Sequence, residues 1–257
     1  MFDFLPIWAV TVGFIVLSLV AYQVGYIGGD WWQRRTPGED EGPTGVLVGS
    51  LLALMAFLLA IAMGMAADRF DTRRGLVLEQ ANAIGTTYLR AGYLPAPANE
   101  DTRELLREYA PLMIAPSDFT AIEAHHVQAL ELERQMWSII ENIVLETGGS
   151  DVQSTYIESL NDTIDLHESR WVAGVYARVP PTVGWLLIGG SILAIGMLGY
   201  GAGLTQKRSV ISAVVTIIAL AAVITLVVDL DRPRDGFITV SQQPLIDVIS
   251  QIGPPSP

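Results

Sequence analysis

Polar and apolar positions alternate along this chain in long blocks. Four runs, Leu5 to Gly29, Gly45 to Ala67, Val183 to Gln206 and Ser209 to Val228, contain no Asp, Glu, Lys, Arg or His. Crossing the roughly 30 Å hydrocarbon slab as a helix takes about 20 apolar residues, and each run is long enough. The first run exceeds a signal-peptide core and leads into Gly-Gly-Asp-Trp-Trp-Gln-Arg-Arg rather than a small-residue cleavage site, so it is expected to remain as a span. Between the second and third runs lie about 115 residues, 68–182, with dense charge and helical periodicity. The pattern predicts an all-α, polytopic membrane protein: four transmembrane helices with a helical extramembrane domain inserted between the second and third.

Breakers and caps subdivide the insert. No strong breaker separates Asp68 to about Gly92 from the second span, so that helix is expected to continue as one rod until Leu94-Pro95-Ala96-Pro97 ends it. Asn99 is a candidate cap for a helix with Glu100 and Asp101 in its first turn, broken or kinked at Pro111 and Pro116. Ser117 or Asp118 opens the next helix, which runs to about Thr147 before Gly148-Gly149. Ser150 with Gln153 forms a capping box for a last helix that stops at Pro180-Pro181. Only Lys207 and Arg208 separate the last two spans, which predicts a tight hairpin. In the tail, Phe237 to Val240 is expected to be extended and Pro244 to Ile252 to form a short amphipathic helix. The expected divisions are 1–67 (first helix pair), 68–182 (helical domain), 183–228 (second hairpin) and 229–257 (tail).

Composition agrees with a membrane location: 51% of residues are hydrophobic and 16% charged, against about 25% charged in an average soluble domain. The chain has no cysteine, which excludes disulfides and thiolate chemistry and leaves either side of a bacterial inner membrane open. Arg34, Arg35, Lys207 and Arg208 flank the short connections, and the positive-inside rule puts those loops in the cytoplasm. Both termini and the helical domain are then expected outside it.

Candidate chemistry is sparse. The glycine pairs Gly25/Gly29, Gly45/Gly49 and Gly199/Gly203 have the four-residue spacing that lets helix backbones approach closely, within a subunit or between subunits. Pumps usually carry ionisable relays at membrane depth, so the uncharged spans argue against active transport. A channel can still gate by dewetting, and Leu54, Phe57, Leu58 and Ile61 form a candidate constriction if the second span lines a pore; the plainer reading is lipid-facing or packing positions. Arg69, Arg73 and Arg74 leave the second span, and Asp229, Asp231 and Arg232 the fourth, on the same membrane face. An Arg-carboxylate clamp between the two helix exits is expected, with a hard-cation site on Asp229, Asp231 and Asp235 as the alternative. Glu158, Asp162 and Asp165 repeat on one helix face; this is a solvated stripe or, around an axis, a cation-attracting vestibule. His125 and His126 are adjacent, so they point to different helix faces, and with His167 they make no zinc motif. No metal, cofactor or catalytic group is expected. A net charge of −12 and the lack of nucleotide fingerprints set nucleic acid aside as a partner.

The segments Ala67 to Arg74 and Glu79 to Arg90, then Arg170, Pro180-Pro181, Trp185, Asp229 to Pro233 and Gly236, resemble a bacterial membrane family known as the bestrophin-like domain. The resemblance covers nearly the whole chain. It implies kinship with bestrophins, pentameric anion channels that hold their termini in the cytoplasm, whereas the acidic stripe favours cations and the loop charges favour outside termini. Within the matched stretch, Asn82 and Thr86 sit four residues apart beside Ala81, Ala83 and Gly85, a surface suited to close helix contact. Two functions follow as expectations. One is a passive ion channel built from a homo-oligomer in the lipid bilayer of a bacterial inner membrane. The other is a non-conducting accessory or sensor subunit bound to another membrane protein.

Overall fold

A computed structural model describes residues 5–36, 42–116, 118–207, 210–233 and 236–255. Among the described residues there are eight helices and no strand: α1 (Ile7–Arg35), α2 (Gly42–Ala91), α3 (Ala98–Leu112), α4 (Phe119–Thr147), α5 (Asp151–Val175), α6 (Pro181–Thr205), α7 (Val210–Asp231) and α8 (Gln243–Ile252). Helices α1, α2, α6 and α7 are long and apolar enough to cross a membrane. Exposed Trp8 and Trp31 stand near the two ends of α1. Their separation along the axis, about 35 Å, suits aromatic side chains at the two edges of a bilayer.

Helix ends follow local chemistry. The Asp118 side chain accepts from the backbone N–H of Thr120 at the start of α4, and Ser150 Oγ accepts from Gln153 N at 3.3 Å at the start of α5. Gly148, with φ of 79°, closes α4 in the left-handed region, where a Cβ would be strained. Pro181 occupies the first turn of α6, where a missing N–H costs nothing. At α3 the N-cap is Pro97 rather than Asn99; Asn99 lies inside the first turn and its Oδ1 accepts from Glu100 N at 2.8 Å. Pro111 sits in the last turn of α3, two residues before the C-cap Met113. Residues 237–240 form bends and irregular chain rather than a strand. Ser117 and Arg208 lie outside the described residues.

The chain divides into two compact units: Met1–Phe70 with Arg178–Thr239, and Asp71–Ala177 with Val240–Pro257. The unbroken α2, 50 residues long, contributes to both. In the first unit, α1, α6 and α7 contact one another, and Phe14, Leu59, Ile195, Ile217 and Ile224 are buried in its core. In the second, α3 contacts α4 and α8, and α4 contacts α5, around Ile84, Leu106, Tyr109, Met136, Ile140 and Leu160. Helix α8 turns Leu245, Val248 and Ile252 inward and so contributes to this core.

Candidate functional site

Helices α1 and α6 meet where neither has a side chain. A Cβ added to Gly25 would collide with the carbonyl of Gly196, one on Gly29 with the carbonyl of Tyr200, one on Gly199 with that of Tyr22, and one on Gly203 with that of Tyr26. Two of the three glycine pairs therefore mesh with each other, helped by Gly196. Higher on the same unit, Thr11 Oγ1 and Thr225 Oγ1 share a hydrogen bond of 2.8 Å between α1 and α7. Gly45 and Gly49 on α2 differ: no atom lies within 4 Å of an added Cβ at either one.

That open surface continues along the apolar part of α2. Leu54, Phe57 and Ile61 are 49%, 62% and 46% exposed, and Leu58 is half-buried, while Met55, Leu59, Ala62 and Ala66 of the same helix are buried. The four residues of the expected constriction thus lie on or beside the face that the chain itself leaves uncovered. Such a face meets lipid, another copy or an aqueous axis.

The end of α7 is a buried knot. Asp229 accepts from Phe237 N (2.8 Å) and Ile238 N (3.0 Å), and it lies so close to Gly236 that a Cβ there would strike Oδ1. Asp231 Oδ1 accepts from Val179 N at 2.8 Å, Arg178 Nη1 donates to the Asp231 carbonyl at 3.0 Å, and Arg232 Nη2 donates to the Leu5 carbonyl at 2.7 Å. Two acids at a helix C-terminus oppose the macrodipole, and backbone N–H groups compensate them here. The described bonds of Asp229 and Asp231 go to main chain, and together with Arg232 they tie the segments leading into α1 and α6 to the end of α7. Arg69 is half-buried in the first unit; Arg73 is buried and Arg74 exposed in the second. Asp235, the third acid of the cation alternative, lies outside the described residues.

In the second unit, Glu158, Asp162 and Asp165 are all exposed on α5, where Asn161 Nδ2 donates to Asp165 Oδ2 at 2.9 Å. Asn82 and Thr86 are also exposed. Within the chain the contact face of α2 runs through Val77, Gln80, Ala81, Ile84 and Thr87, which repeat at helical spacing and turn inward. The polar bonds lie there: Thr87 Oγ1 donates to the Ser159 carbonyl at 2.8 Å, and Gln80 Nε2 donates to the Thr163 carbonyl at 3.1 Å.

A polar chain that sequence reasoning missed crosses the core of this unit. Tyr109 of α3 donates to Glu133 Oε1 of α4 at 2.9 Å, and His167 Nδ1 of α5 lies 2.7 Å from the same oxygen. His167 Nε2 then lies 3.1 Å from His126 Nδ1, and the His126 ring stacks on Trp171, with centroids 3.9 Å apart and planes 9° apart. Tyr109, Glu133 and His167 are all buried. Burial, reinforced by the Glu133 charge, holds the Tyr109 phenol well above its ordinary value. Burial first and the neighbouring His167 second hold the His126 imidazole below its own. Arg170, with Nη2 on the Met113 carbonyl at 2.9 Å, is pulled down by burial to about 10. One signal for this chain was present in the sequence: Glu133 interrupts the inward stripe of Ala129, Leu132, Met136, Ile140 and Ile143, and a lone acid in such a stripe demands a partner. No group of three or more metal-ligand side chains occurs among the described residues.

Comparison with known proteins places this architecture. The sequence matches the bestrophin-like domain over residues 15–245. A substituted form of a bacterial bestrophin homolog from Klebsiella pneumoniae superposes with a TM-score of 0.69 at 15% identity, covering 94% of this chain and 97% of that one. A second structure of the Klebsiella pneumoniae homolog gives 0.67 at 14% identity, covering 94% and 95%. No significant match is found among curated protein sequences.

Proposed function

The chain belongs to the bestrophin-like family, and from that premise we propose that it assembles as a homo-oligomer in a bacterial inner membrane and conducts ions passively. The observation that carries this reading is the uncovered face of α2. In a span that met only lipid, bulky side chains would cover the outward surface and a glycine there would contribute little packing. Here Gly45 and Gly49, both with open space, share the exposed part of the helix with Leu54, Phe57 and Ile61. Small residues let copies approach, and a ring of Leu and Phe is a barrier of the kind that opens by wetting.

On this reading Leu54, Phe57, Leu58 and Ile61 form the constriction, Gly45 and Gly49 serve contacts between subunits, and Asn82 and Thr86 serve the same role further along α2. Glu158, Asp162 and Asp165 line a vestibule that favours cations. The knot at the end of α7 is structural. The helical domain and both chain ends face away from the cytoplasm, so that Asn99→Cys in intact cells reacts with an impermeant thiol reagent.

Reconstituted bilayers test the channel. Phe57→Ala is expected to raise open probability or unitary current of a protein that conducts without an energy source, with a reversal potential on the cation side. Absence of current across voltage and pH from a verified oligomer, or a monomeric mass in lipid nanodiscs, would sink the channel reading and favour an accessory subunit bound to another membrane protein.

A further inference from the structure

The chain of side chains from Tyr109 to His126 has a proton count that its geometry limits. Tyr109 O–H and His167 Nδ1 converge on one oxygen of Glu133, at 2.9 and 2.7 Å, an arrangement in which the carboxylate accepts from both. That leaves His167 Nε2 facing His126 Nδ1 across 3.1 Å, a gap that holds a single hydrogen. Either His126 donates to a bare Nε2, or a His167 imidazolium donates to a bare Nδ1. Both arrangements tolerate one positive charge on the pair, which offsets Glu133. A second proton puts two N–H groups and two like charges nose to nose, and the bond is lost.

We infer that the His126–His167 pair is an acid-sensitive latch between α4 and α5: it stays closed while the two rings carry at most one extra proton and opens when both are protonated. His126 is the ring that leaves. His167 is buried and anchored to Glu133, whereas His126 is only partly buried and held by the Nδ1 bond and the Trp171 stack. The groups facing His126 are His167 and Glu168 from α5 and Glu133 from its own helix; at the far end Tyr109 of α3 meets Glu133, and Arg170 of α5 faces Tyr109. From α2 the neighbour is the neutral Gln80, beside Tyr109. Desolvation first and the His167 charge second oppose protonation of His126, while Glu168 and Glu133 favour it, and the opposing pair dominates. A group held below its unfolded value stabilises the fold above that value, about 6.5 for histidine, and the contribution is lost as pH falls through the folded value. The latch therefore opens on acidification below about pH 6.5.

The readouts do not depend on conduction, so a silent protein leaves the latch testable. The chain has three histidines, which makes imidazole ¹⁵N spectra of the full-length protein in lipid bilayers assignable. Between pH 8 and 5 we expect His126 and His167 to titrate as a coupled pair in two separated steps. Hydrogen exchange in α4 around His126, corrected for intrinsic rates, should rise by up to about tenfold for each unit of pH as pH falls from about 6.5 toward the lower step, and level off below it. In His126→Phe, which keeps a ring for Trp171 but binds no proton, that acid-induced rise should vanish. Independent single-step titration of the two rings, unchanged α4 exchange in the wild type, or the same acid response in His126→Phe would each overturn the proposal. If His126→Phe fails to fold, the wild-type titration and exchange decide it.

Discussion

Glycine lines the contact between α1 and α6, whereas Tyr109, Glu133 and His167 line the contact among α3, α4 and α5. The contrast follows from what surrounds each unit. Helices long and apolar enough for a bilayer gain little by hiding apolar side chains from equally apolar lipid tails, so they associate through backbone proximity and occasional bonds such as Thr11 to Thr225. Asp229 and Asp231 lie at the C-terminal end of α7, where N–H groups of Phe237, Ile238 and Val179, from the chain after α7 and before α6, reach them. The second unit is built from helices whose outer faces are charged. There hydrophobic burial drives packing, and a few buried polar groups fix which faces meet.

Five changes sharpen or break this contrast. The largest effect is expected for Glu133→Ala, which strands the Tyr109 hydroxyl and the His167 N–H in the core; loss of one partner from a buried charged network costs about 3–5 kcal/mol. Chemical denaturation followed by near-UV circular dichroism measures it, and a cost below about 1 kcal/mol would mean that the network is not a stabilising element. Next comes Gly199→Leu, which drives a side chain into the Tyr22 carbonyl. We expect a loss of about 1–3 kcal/mol, read as a lower melting temperature in mild detergent. Gly49→Leu is the paired control: it should leave the monomer's melting unchanged and instead shift the oligomer mass, because no atom of the described residues stands in its way. Equal melting losses for the two glycine variants would contradict the packing described here.

Asp229→Asn retains one acceptor but loses the other, and should cost about 1–2 kcal/mol by leaving one of the Phe237 and Ile238 N–H groups unpaired. Limited proteolysis near Gly236 would report it. The smallest effect on stability, within about 0.5 kcal/mol, belongs to the joint replacement of Glu158, Asp162 and Asp165 by amides, since all three are exposed. If the protein conducts, the same variant should lower cation current at low salt and matter less at high salt, because exposed charges act through a field screened over about 10 Å at 0.1 M.

Much of the first unit was legible because lack of charge is a property of the chain in one dimension. The four uncharged runs coincide with α1, α2, α6 and α7, and the continuation of α2 beyond Ala67 followed from the lack of a breaker before Leu94. Caps were legible where a short polar side chain precedes a periodic run, as at Asp118 and Ser150; the start of α3 was not, because the chain enters that helix at Pro97 and Ala98, ahead of Asn99. The candidate site was legible only as residue types. Spacing singled out three glycine pairs alike, and it marked Asn82 and Thr86 as contact residues when the contact face within the chain runs through Gln80, Ile84 and Thr87.

By itself, then, the sequence determined the helical class, four helices long and apolar enough to cross a membrane, and the family, because these depend on local composition and on motifs distributed over nearly the whole length. Tertiary structure decided which glycines touch, that main-chain groups 8 and 9 residues along bind Asp229, and that His126 meets His167 across a separation of 41 residues. Such contacts depend on the rotation of each helix about its axis. That rotation is set by packing over the entire core, and no short window of sequence contains it.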